Sequence, residues 1–314
     1  MNNVIQAPSA GSVKGHYRLE VRDARTNNLK QVREFDNLVT DRLLKVYSGL
    51  YGASNMNFAI GNGNITPYPE SNGIGNQISW KRFETSMIIQ NPTAPDYVSA
   101  RRLGTRFNAG FNSGASNNTI TEVGIINDGN GLLCSWALIT DDNGNPTPIT
   151  VGTNEYLDVY YEMYYYPDLT ETTGTFELDG TTYQYVAKPF DITTHSVRGL
   201  SGIHDIWSSV YDSSAIVEDL TYNYYGTVHK ACTWTSPEGT DPRTVTYKLE
   251  LNEGNFADNL IGGTRISTNY SDGHQRWPIC TNTRFVFTPA IPKDNTCTLQ
   301  FTFALPTFRR YTAP

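Results

Sequence analysis

Apolar and polar residues alternate with a period of two from His16 onward. Tyr17, Leu19 and Val21 fall on one face and Arg18, Glu20 and Arg22 on the other; a polar Asp23 to Asn28 stretch follows, then Leu29 to Phe35. This predicts a β-hairpin. The clearest run is Tyr156 to Tyr166. Leu157, Val159, Tyr161, Met163 and Tyr165 share one face, and Tyr156, Asp158, Tyr160, Glu162 and Tyr164 the other. Further strands are predicted at Ser79 to Ile89, Tyr97 to Phe107, Ile120 to Ile126, Leu132 to Thr140, Thr175 to Leu178, Thr182 to Val186, Thr244 to Leu251, Arg284 to Thr288 and Thr296 to Phe303. Asn127-Asp-Gly-Asn-Gly131 and Asp179-Gly180 lie between apolar runs, the turn chemistry of hairpins.

Helical signals are sparse. Thr40 as N-cap, Val39 placed to staple Leu44, Asp41 in the first turn and Gly49 after the last predict one short helix. Ile203, Ile206, Trp207 and Val210 have helical spacing and suggest a second. Phe58 to Pro67 reads as a strand entering a glycine turn, with a Gly/Asn/Pro loop from Asn64 to about Gln77. Gly61 and Gly63 are expected to supply positive φ there rather than to cradle phosphate, because no Gly-x-Gly-x-x-Gly spacing or crossover helix accompanies them.

The expected architecture is all-β: two β-sandwich-like domains with one or two short helices. Their spans are residues 15–167 and 168–314, behind a flexible, polar N-terminal arm over residues 1–14 that orders where a neighbour holds it. A chain of 314 residues is long enough for two cores of ordinary size.

A net charge of −7 argues against a phosphate-binding surface, so nucleic acid is not an expected partner. No apolar window approaches the roughly 20 residues of a membrane span, and Met1 to Gln6 lacks a secretory pattern, so the expectation is a soluble protein made in the cytoplasm. Cys134, Cys232, Cys280 and Cys297 show no metal spacing and are expected reduced and mostly buried, with Cys297 on the apolar face of a strand.

Candidate chemistry is thin. Asp158 and Glu162 share a strand face but stand roughly 13 Å apart along it, wider than the ~5 to 9.5 Å of two-carboxylate glycoside cleavage. There is no nucleophile elbow. The five histidines (His16, His195, His204, His229, His274) occur singly, and Asp141 to Asn145 has the look of a calcium loop without its distal Glu. The chain is therefore expected to be non-enzymatic, without cofactor or metal.

The tyrosines Tyr160, Tyr164 and Tyr166, with Tyr222, Tyr224 and Tyr225, are the candidate contact residues. Tyr joins apolar area to a hydrogen-bonding tip and is enriched at protein interfaces. Few Lys or Pro residues guard the predicted strands, so sheet edges are expected to be covered by other subunits.

Several segments, taken in order, resemble a family of tailed-bacteriophage virion structural proteins. They are Phe35 to Leu44, Ala59 to Gly63, Thr121-Glu-Val-Gly-Ile125, Leu138 to Asp142, Pro148 to Val151, Glu155 to Glu162, Tyr166 to Thr170, Thr173 to Thr175, Phe287 to Lys293 and Leu299 to Phe303. Near the end, Phe308-Arg309 stands where the family carries Trp-Arg. The resemblance implies a virion component of the tail, neck (collar) or fibre region, a homo-oligomer contacting other phage virion proteins, with no catalytic residues. The alternative expectation is a tail adhesin that binds a bacterial surface glycan.

Overall fold

The computed structural model describes residues 4–7, 11–47, 56–88, 103–111, 118–127, 132–166, 168, 170–189, 205–214, 228–234, 243–271, 276–278, 283–305 and 308–312. The first strands are β1 (Val4–Gln6), β2 (Ser12–Asp23), β3 (Leu29–Asp36) and β4 (Leu38–Val39), followed by helix α1 (Asp41–Tyr47). Next come β5 (Met56–Gly61), β6 (Gln77–Arg82), β7 (Thr85–Ile88), β8 (Leu103–Phe111), β9 (Asn118–Ile120), β10 (Glu122–Asn127), β11 (Leu132–Leu138), β12 (Ile149–Val151) and β13 (Glu155–Tyr166). The remainder are β14 (Thr172–Leu178), β15 (Thr181–Pro189), β16 (Asp205–Tyr211), β17 (Val228–Ala231), β18 (Thr233–Trp234), β19 (Arg243–Leu249), β20 (Leu260–Ser271), β21 (Arg276–Pro278), β22 (Thr283–Pro292), β23 (Leu299–Leu305) and β24 (Arg309–Arg310). The fold is all-β.

Two sandwich-like cores form. In the first, a sheet ordered β24-β2-β13-β8-β7, with β3 also on β2, faces a sheet ordered β4-β11-β10-β5-β6. Tyr17, Leu157, Val159 and Tyr161 from one meet Phe58, Ile60, Val123 and Ile125 from the other, all buried. The Tyr17 hydroxyl shares a hydrogen bond with Ser135 Oγ across the sandwich at 2.8 Å, so its polar tip is satisfied inside the core. In the second, the sheet β1-β23-β19-β18 packs on β14-β15-β22-β20-β16-β17. Phe285 and Phe303 meet there with ring centroids 4.7 Å apart.

The segment expected as an arm carries two strands. Val4–Gln6 pairs in parallel with β23 and buries Ile5 in the second core, while Ser12 to Lys14 belong to β2. Reciprocally, β24 pairs in parallel with the start of β2, and Phe308 enters the first core. Arg310 donates to the Val39 carbonyl at 2.6 Å and ion-pairs with Asp41, and Tyr311 stacks on Tyr166. Each core is thus finished by a strand from the far end of the sequence.

The helix over 41–47 forms as expected: Thr40 Oγ1 accepts from the Leu43 amide at 3.3 Å and donates to the Leu133 carbonyl. The second predicted helix does not. Residues 205–211 are strand β16, between β17 and β20, with Ser208 and Val210 both buried. Pairing on both sides overrode a helical spacing carried by β-branched and aromatic residues, which suit strands at least as well. Ser79 to Ile89 splits into β6 and β7, which belong to different sheets. Asp179 and Gly180 both take positive φ (48° and 76°), the two-residue turn that the Asp-Gly pair implied. Cys297 is exposed and precedes β23, because Asp294 accepts from the Thr296 amide and hydroxyl and prolongs the turn; Cys134 is buried as expected, Cys232 is half-buried, and Cys280 lies outside the described residues.

The role expected for Gly61 and Gly63 needs correcting. Neither has positive φ; each is a glycine because a side chain there would collide with the Glu122 carboxylate. Glu122 is fully buried, and its two oxygens accept from the amides of Gly63, Gly75 and Asn76 and from Trp136 Nε1, at 2.7 to 2.9 Å. Four N–H groups thus replace the water a carboxylate would lose, which makes its burial tolerable. The result is a clamp on the loop 62–76. That loop lies back over the outer face of the five-stranded sheet: Tyr68 meets the buried Trp136 edge-on, and Ile74 occupies the space left by Gly124.

Replacing Glu122 by Gln turns an NH2 toward donors that need an acceptor. Glu122→Gln should cost about 3 kcal/mol in urea denaturation and should make the 62–76 loop the first site of limited proteolysis.

Candidate interaction surface

β13 is the centre of the six-stranded sheet, paired with β2 over its whole length and with β8 over residues 157–165. Its alternation places Leu157, Val159, Tyr161 and Met163 in the core and leaves the other set on the outer face. Cross-strand register then sets the neighbours. One row runs Asp36, His16, Glu162, Arg106; the next Glu34, Arg18, Tyr160, Asn108; a third Val32, Glu20, Asp158, Gly110.

The rows form a lattice of opposite charges. Arg18 and Arg22 both bind Glu20, whose side chain is only 5% exposed; Arg18 Nε reaches Oε1 at 2.7 Å and Arg22 Nε reaches Oε2 at 3.0 Å. Arg18 also pairs with Glu34, Arg106 with Glu162, and Lys14 and His16 with Asp36. Burial alone would push Glu20 up, but the hydrogen bonds from Arg22 and Arg18 outweigh it and hold the carboxyl below the usual range. Glu162 is lowered in the same way, by Tyr164 and Arg106 against its burial. Asp158 moves the other way: burial raises it, Arg22 at 3.5 Å offsets this only in part, and the neighbouring Glu20 adds to it.

The carboxylate beside Asp158 is therefore Glu20, directly across on β2, rather than Glu162. Sequence spacing along one strand could not show this, because the pair is created by register. Glu20 is saturated by guanidinium N–H groups and is held as part of the ion lattice, while Asp158 meets Arg22 alone of these cations, at 3.5 Å.

Of the candidate tyrosines, Tyr160, Tyr164 and Tyr166 are all half-buried on β13. The Tyr164 hydroxyl donates to Glu162, and Tyr166 is stacked against Tyr311 with centroids 4.1 Å apart, so part of its ring is covered from within the chain. Burial raises Tyr160, with Asp158 and Glu20 adding to the effect. Tyr222, Tyr224 and Tyr225 lie outside the described residues. Asp141, in the calcium-like turn, spends Oδ1 on the amides of Asn143 and Asn145, both at 2.9 Å. Sequence reading missed an exposed apolar group: Trp80 on β6 is 56% exposed, and Ile65 and Tyr68 in the clamped loop are 52% and 50% exposed. Alternation along β6 groups Trp80 with Ile78, which packs on the core; the bulge that skips Ile78 sets Trp80 opposite Ala59 on the other face.

No helix among the described residues is long and apolar enough to cross a membrane. No family model, curated protein or solved structure matches the chain.

The opposite shifts of Glu20 and Asp158 give opposite pH behaviour. Glu20 contributes stability at neutral pH that is lost as pH falls through its depressed folded value. The contribution of Asp158 is present in acid and lost as pH rises through its raised folded value. Glu20→Gln should therefore lower stability at pH 7 by about 2 kcal/mol, a deficit that closes in acid, whereas Asp158→Asn should leave the pH 7 midpoint unchanged or higher; denaturation series across pH read both.

Proposed function

We propose that the chain is a structural component of a tailed-bacteriophage particle, in its tail, neck or fibre region, built in as one copy of a homo-oligomer that also touches other virion proteins. The observation that carries this reading is the outer face of the six-stranded sheet, where Tyr160 and Tyr164 sit among paired charges on strands locked by register. Charges already neutralised by neighbours need less desolvation when a partner covers them, and half-buried tyrosines supply contact area at low entropic cost. The ordered likeness to virion proteins across the chain supports the same reading. On it, the surface is covered by protein in the particle.

A second reading, a tail adhesin for bacterial surface glycan, is favoured by the exposed Trp80 and Tyr68, since aromatic faces stack on sugar rings. Trp207 and Trp234, two further tryptophans whose faces would suit the same role, have side chains outside the described residues.

Light scattering coupled to size exclusion should show a multimer, and Tyr160→Ala with Tyr164→Ala should reduce its mass while circular dichroism stays β. Antibody against the chain should label phage particles in the tail or neck region; unlabelled particles together with a monomeric protein would sink the proposal. For the second reading, wild type should adsorb to host cells and Trp80→Ala should not, and equal adsorption by both would remove it.

A further inference from the structure

Strand β3 is an edge. Among the described residues it pairs only with β2, and the regular part of that ladder runs from Gln31 to Asp36, the single irregularity lying at its start opposite Val21 and Arg22. Eight residues make a long edge, and Leu29 and Val32 on it are 47% and 37% exposed. The Val32 carbonyl accepts from the guanidinium of the next residue, Arg33, at 2.8 Å. Arg33 Nε is buried without a hydrogen-bond partner. An uncovered strand of this kind either blocks pairing or invites it, and the order of its residues decides which.

That order is self-complementary. A second copy of β3 laid antiparallel across a two-fold axis at Val32 sets Val32 against its own counterpart. It also places Lys30 opposite Glu34 and Glu34 opposite Lys30, Gln31 opposite Arg33, and Leu29 opposite Phe35. Every charge of Lys30 and Glu34 then meets its opposite, the exposed Val32 meets apolar surface, and the Gln31 amide oxygen faces the Arg33 guanidinium, whose Nε lacks an acceptor. A shift of two residues centres the axis on Arg33, setting its two guanidinium groups opposite each other, or on Gln31, setting Lys30 against Val32, and a shift of four centres it on Glu34 or Lys30; the axes on Arg33, Glu34 and Lys30 juxtapose like charges, which is unfavourable in a cross-strand pair.

We propose that β3 is the homotypic contact of this protein: two copies join edge to edge about a two-fold axis through Val32, fusing their six-stranded sheets into one continuous sheet. The proposal rests on the homo-oligomeric reading above and names its surface and symmetry. It also carries the charged, tyrosine-bearing face of each copy into register with that of its neighbour, doubling the area offered to a third component.

Sedimentation equilibrium on folded variants tests it, since Lys30 and Glu34 are exposed and their replacement leaves the cores untouched. Lys30→Glu and Glu34→Lys should each weaken self-association about tenfold or more, because both symmetry-related contacts become repulsive. The two changes combined should restore it. In a Cys297→Ser background, Val32→Cys should form a disulfide dimer on mild oxidation, as a hydrogen-bonded antiparallel pair holds Cα atoms ~5.5 Å apart and disulfides span ~4.4 to 6.8 Å. If wild type self-associates but neither charge reversal changes its mass and position 32 fails to cross-link, the β3 contact is overturned while the oligomeric reading stands. If wild type stays monomeric at every concentration, both fall.

Discussion

The ladder joining β2, β13 and β8 is the constraint from which most of the first core follows. β13 meets β2 at twelve consecutive positions, from Glu155 opposite Asp23 to Tyr166 opposite Ser12. A slip of one residue would put Leu157, Val159 and Tyr161 in water and Asp158 and Glu162 in the core, so the alternation permits a single register. That register makes Glu20 the neighbour of Asp158 and Arg18 the neighbour of Tyr160. The ion lattice is thus a product of strand pairing, and its composition was settled by the residues that had to be buried behind it.

Two acidic side chains show how the fold handles charge. Glu20 is neutralised by guanidinium groups on its own strand, while Glu122 is held by backbone amides and an indole, with no ion pair among the described residues. The first organises a surface. The second fastens a loop onto the outer side of the five-stranded sheet, so one broad face of the first core is closed by the loop 62–76, while among the described residues the other presents the paired charges and half-buried tyrosines. On the assembly reading, this asymmetry accounts for which side carries tyrosines and balanced charge.

Strong alternation with turn residues made β2, β3, β13, β14 and β15 readable in advance, and the Thr40 cap made α1 readable. The spacing of Ile206, Trp207 and Val210 misled, because three or four apolar residues fit both periods and only the flanking strands β17 and β20 decide between them. Glu122 and its glycines were visible as residues, yet nothing local distinguishes a glycine needed for φ from one needed for clearance; the carboxylate that requires the clearance lies some sixty residues away. The short strands β1 and β24 gave no periodic signal, being two or three residues long and defined wholly by their partners. Tyr160 and Tyr164 could be placed on a face from sequence, but that Tyr166 is covered by Tyr311 could not.

The reciprocal crossing of β1 and β24 ties assembly of the fold to the timetable of translation. Val4 pairs with Thr302, and Ser12 with Arg309, so each sheet gains an outer strand only after roughly 300 further residues have been made. At ~5 to 20 residues per second on the ribosome, that interval is about 15 to 60 s. During it β2 lacks its parallel neighbour and Ile5 lacks its pocket, so a nascent chain stalled short of Phe308 holds an unfinished first core even after every other strand of that core has been made.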